Sequence, residues 1–66
     1  MIEFKYKATW HDIDGMEIEF KFWVYATNEN RAHMEAMIRV EWFAKNCKEI
    51  LTQFEYDGVE ILEIVK

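Results

Sequence analysis

Proline is missing from this sequence, glycine occurs twice and cysteine once. A lone thiol, Cys47, closes no intramolecular disulfide, and the opening "MIEFKYK" alternates where a leader would run apolar. The expectation is therefore a soluble protein of a reducing compartment, the cytoplasm. No stretch approaches the ~18 apolar residues of a membrane span. Cations are scarce too: 8 Lys and Arg stand against 13 Asp and Glu, and a net charge of −5 argues against a protein that tracks phosphates with a basic patch. No glycine-rich phosphate loop, cysteine pair or Ser-His-Asp set is present. With no linker, repeat or low-complexity tract, residues 1–66 read as one compact domain around one thin core. A chain of this length buries only about 60% of its unfolded surface, so self-association would help it.

Aromatic residues are abundant instead: five Phe, three Trp and three Tyr, with four Met. Aromatics and methionine are enriched at protein interfaces, and one small core holds only part of this set.

The hydrophobic pattern gives an α+β chain of order ββαβ. "IEFKYKATW" alternates strictly, with Ile2, Phe4, Tyr6, Ala8 and Trp10 on one side. After "HDIDG", the segment "MEIEFKFWVYA" puts Met16, Ile18, Phe20, Phe22 and Val24 inward, and Glu17, Glu19, Lys21, Trp23 and Tyr25 outward. The two segments form a hairpin whose outer faces set Lys5 and Lys7 across from Glu17 and Glu19. "ATNEN" then starts a helix, with Thr27 or Asn28 as N-cap. Ala32, Ala36, Val40, Phe43, Cys47, Leu51 and Phe54 share one stripe, the face turned to the sheet. A straight helix from 29 to 54 would run about 39 Å, longer than the strands, so a kink is expected near Asn46. The rival reading turns "TQFEYDGVEI" into a second hairpin about Asp57-Gly58. "VEILEIVK" is the last strand, apolar on both faces, so it either bulges or is covered twice. The expected product is a three-stranded antiparallel or mixed sheet with one long helix on one face, its strand order open.

Two apolar groups fall outside the core stripe. Met34, Ile38 and Trp42 recur every fourth position on the far side of the helix, among Arg31, Glu35, Glu41, Lys45 and Glu49. An apolar strip with a charged surround is the composition of a recognition surface, Trp42 being the natural anchor. Trp23 and Tyr25 form a second group on the outer sheet face. One surface is expected to serve self-association, giving a homodimer, and the other a target protein.

Chemical motifs are weak. "HDID", His11 to Asp14, has ligand types but lacks the later ligands of a calcium loop; it reads as a hairpin turn, so no metal or other cofactor is expected. His33 and Cys47 lie fourteen positions apart on one helix, about 21 Å, too far for a nucleophile–base pair. The chain is therefore expected not to be an enzyme. An acidic mimic of DNA would mass its carboxylates, whereas Lys5, Lys7, Lys21, Arg39, Lys45 and Lys48 interrupt them here. The alternative partner is single-stranded nucleic acid stacked on exposed aromatics beside Lys5, Lys7 and Lys21.

The hairpin, the helix entry "ATNENRAHMEAM" and the final "VEILEIVK" together resemble small ββαβ proteins of phages and prophages and, in element order, the archaeal ribosomal LX-type domain. The resemblance implies a binding module, one that acts by occupying a host protein as inhibitor or adaptor. LX-type domains are basic and sit on RNA; this chain is acidic, which departs from that pattern.

Overall fold

The computed structural model describes residues 1–66. Strand β1, Ile2–His11, follows the alternation in full: Phe4, Tyr6, Ala8 and Trp10 are buried, and Ile2 is half-buried. Strand β2, Glu17–Ala26, pairs antiparallel with it from Ile2 opposite Ala26 to His11 opposite Glu17. Asp12 closes the turn between them, its Oδ1 accepting from the amides of Asp14 at 3.0 Å and Met16 at 2.8 Å, while Gly15 takes φ 85°. Met16 therefore ends in the turn and is exposed, not inward as the alternation suggested, because the turn hydrogen bonds set where the strand begins.

Helix α1, Glu29–Asn46, starts at Asn28, whose Oδ1 accepts from the Arg31 amide at 2.9 Å. Ala32 and Ala36 are fully buried, and their small side chains let the helix lie close on the sheet. Farther along, Val40 is buried, and Phe43 stacks on Phe20 at 4.3 Å and tilts against Trp10 at 5.2 Å. The expected break is present. Asn46 Nδ2 donates to the Trp42 carbonyl at 2.8 Å, Cys47 takes φ −110° and ψ 24°, and one short turn, α2, Lys48–Leu51, buries Leu51.

Residues 52–58 depart from both sequence readings, while the final strand from Val59 onward is present as expected. The helical stripe does not reach Phe54, which is half-buried beyond α2, and Asp57-Gly58 is not a hairpin turn. One strand, β3, runs from Glu55 to Val65 and pairs antiparallel with β1. Its register shifts twice, so that Asp57 and Leu62 are each one residue too many against β1. Gly58 carries the first bulge at φ 117°, where only glycine is free of strain. The second bulge explains the two-sided apolar pattern. Before it Ile61 opposes Tyr6 on the inner face; after it Ile64 opposes Phe4, also inward, and Val65 turns outward beside Glu3.

The sheet order is β2-β1-β3, with β1 in the centre. Helix α1 lies over β2 and β1 and leaves most of β3 without a cover. The result is a slab of 38 × 20 × 14 Å: one three-stranded sheet, one helix layer and an open sheet face. Its core is nearly all aromatic and aliphatic, and no buried residue is charged. No helix is long and apolar enough to cross a membrane.

Candidate interaction surfaces

The ridge of α1 is built by helical geometry alone. Residues four apart lie one above the other, so once Ala32, Ala36 and Val40 face the sheet, Met34, Ile38 and Trp42 must point away from it. Met34 is 65% exposed, Ile38 59% and Trp42 61%. The three form one continuous ridge. Arg31 and Lys45 stand near its two ends, and Glu35 and Arg39 form an ion pair of 3.7 Å along one flank.

On that flank, a groove between α1 and the end of β2 is lined by Met1, Tyr25, Met34 and Ile38, with Arg31 and Glu35 at its rim. Arg39 also reaches from the helix to β2, Nη1 donating to the Trp23 carbonyl at 3.4 Å. A long cation thus occupies a carbonyl of the outer strand, which blunts that sheet edge.

The second expected group is more broken than the sequence suggested. Trp23 and Tyr25 do point out of the sheet, but Trp23 faces Lys5 across the strand pair, and the Lys5 ammonium sits 5.7 Å from the indole centroid. The Lys5 stem covers part of the ring, leaving Trp23 37% exposed while Tyr25 stays open. The apolar end of β3 is two strands away, with Glu3 and Lys5 between. No continuous apolar patch crosses this face.

The charges on the open face pair differently from expectation. Lys7 stands directly opposite Lys21, not a glutamate, and finds its carboxylates diagonally and on β3: Glu19 at 3.4 Å and Glu60 at 3.2 Å. Hydrogen bonds to Glu60 and then Glu19 raise the Lys7 ammonium above its usual range. His11 Nδ1 lies 2.6 Å from Asp57 Oδ1, which ties this imidazole to the β3 bulge. His33 is exposed on the helix, and Cys47 is half-buried at the α1–α2 junction.

Sequence reasoning missed a third surface, on the helix side of the sheet. Between α1 and β3 a groove is lined by Glu29, Asn30, His33 and Met34 on the helix and by Tyr6 and Ile61 on the sheet. The Tyr6 hydroxyl is buried with no hydrogen-bond partner, and burial first, then the Glu29 carboxylate, raises its pKa. Beyond the groove, Tyr56, Leu62 and Ile64 on β3 are exposed. The signal was the doubly apolar "VEILEIVK"; what sequence could not supply was the side on which α1 would lie.

The chain is an α+β domain of ββαβ order that carries three partly apolar surfaces. Compared with protein-family models, with curated proteins and with solved structures, the chain matches none.

Proposed function

We propose that this chain is a non-catalytic protein-binding module of the cytoplasm that self-associates and occupies a second protein, in the manner of a small phage-type inhibitor or adaptor. The ridge of Met34, Ile38 and Trp42 carries this reading. Scattered exposed apolar side chains are ordinary, whereas three in register with a Trp at one end and a rim of charges of both signs have the make-up of a contact centre. The partly covered Trp23 and Tyr25, which also lines the groove beside Met34 and Ile38, supply a second anchor on β2.

The test uses tagged chain expressed in its own host cell, with captured partners and oligomeric state read together. Trp42→Ala and Ile38→Glu remove a contact while the circular dichroism of the fold is kept, because both positions are exposed. Trp23→Ala with Tyr25→Ala removes the other contact. Loss of neither a partner nor an oligomer with either set overturns the reading.

The Lys5–Trp23 pair favours one second reading, a stacking platform for single-stranded nucleic acid. It has less support, since Lys7 is neutralised by two carboxylates. It requires salt-sensitive binding of a labelled oligonucleotide that Lys5→Glu weakens.

A further inference from the structure

The isolated subunit is too open for its mass. It exposes 4969 Å², whereas a monomeric protein of 8.1 kDa is expected to expose about 4,500 Å². Its radius of gyration is 12.6 Å, against about 11 Å for a compact chain of this length. The excess, close to 480 Å², is over half of the roughly 800 Å² that each partner buries in a standard stable interface. Two groups of exposed apolar side chains stand together: the ridge of α1, and the strip of β3 with Tyr56 and Ile64 that α1 fails to cover.

We propose that these two surfaces cover each other in a homodimer, the Met34–Ile38–Trp42 ridge of each copy lying on the inner face of β3 in the other, so that two helices form one layer between two sheets. The proposal rests on the reading above that the ridge is a contact surface, and adds what occupies it.

Shape and apolar surface agree. Helix α1 occupies the β2 and β1 side of its own sheet, so the vacant width lies over β3 alone, and a second helix beside the first fills it. The inner face of β3 presents Tyr56, Val59, Ile61 and Ile64, which stand opposite Trp10, Ala8, Tyr6 and Phe4, while its carboxylates Glu55, Glu60 and Glu63 stand opposite His11, Lys7 and Lys5 on the other face. Each apolar ridge therefore meets an apolar strip free of carboxylates. Pairing of sheet edges is the weaker alternative, because Arg39 occupies the β2 edge and two bulges interrupt β3.

The symmetry fixes the register. A twofold operation that leaves the helices side by side and the sheets on opposite sides must run along the helices, so the two copies of α1 are parallel. Helix α1 passes the Tyr6–Ile61 level at His33 and the Trp10–Tyr56 level at Phe43. The Ile38 of one copy then meets the Val59–Ile61 stretch of the other. Met37, on the same flank as His33 and partly exposed, faces its own equivalent across the axis.

Light scattering of the purified chain tests this directly. The native protein should give a dimer of twice 8.1 kDa. Ile38→Glu alone and Ile61→Lys alone should each weaken dimerisation by about tenfold or more, and an equimolar mixture of the two should restore it, since one contact becomes Glu–Lys and the other stays native. Ile61 is half-buried, so Ile64→Lys, at an exposed position, serves as a second weakening variant, with circular dichroism checking both folds. In a Cys47→Ser background, Met37→Cys should oxidise to a linked dimer and Ile38→Cys should not. A dimer indifferent to both β3 variants, or linked through Ile38→Cys, overturns this docking while self-association stands. A native monomer at millimolar concentration overturns the dimer altogether, and leaves target binding through Trp23 and Tyr25 to its own variants.

Discussion

Tyr6 shows how much one side chain is asked to do in so thin a core. Its ring stacks on Phe22 at 5.7 Å and it is 1% exposed, yet its hydroxyl has no partner. An unpaired buried hydroxyl is a net cost, so Tyr6→Phe should leave the fold intact and stabilise it by about 1 kcal/mol, measured by urea denaturation. The same group contributes to the alkaline limb. Tyr6 and Tyr56 hold their protons to higher pH when folded than unfolded, chiefly because of burial, and Lys7 does so because it bonds Glu60 and Glu19. For all three, the native state binds more protons than the unfolded state once pH passes the unfolded values of 10.0 for tyrosine and 10.5 for lysine. Stability is therefore full below that range and falls as pH rises through it. In Tyr6→Phe the fall should be shallower.

At the scale of elements, β1, β2 and the start of α1 were legible in the chain because each buries one face and so prints one period. Strict alternation leaves no second choice for Phe4, Tyr6, Ala8 and Trp10, and Asn28 marks the helix start by side-chain chemistry alone. The segment 52–58 was misread because its signals are local while its structure is not. Asp57-Gly58 has the composition of a hairpin turn, but pairing with an already formed β1 turns it into a bulge. Gly58 should be the sensitive point. Added bulk at Gly58 meets nothing within 4 Å, so the cost of Gly58→Ala is that of φ 117° alone: about 1–2 kcal/mol of stability by denaturant titration. Asn28→Ala should cost about 1 kcal/mol by the same measurement, through loss of the cap. The exposed ridge was legible as well, since Met34, Ile38 and Trp42 follow from the helical period. The α1–β3 groove was not, because a period specifies which face of a helix is buried and not which strands lie beneath it.

For the whole molecule, the decisive property is shape. A slab 14 Å thick has little interior, and eleven buried residues carry the entire core. If two copies share their uncovered surfaces, unfolding and dissociation become one reaction, and stability depends on concentration. A tenfold rise in protein concentration should then add about 0.7 kcal per mole of subunit and raise the thermal midpoint by about 3–5 °C, measured by calorimetry; a midpoint unmoved by dilution speaks for a folded monomer. The amino-acid sequence by itself determined the ββαβ order, the inner face of the hairpin, the helix cap and the apolar ridge, because each depends on neighbours a few positions apart. Only the tertiary structure decided that β1 is central, that β3 bulges twice and that α1 leaves β3 bare. Those depend on which surfaces distant segments bury against one another, and no local period records that competition.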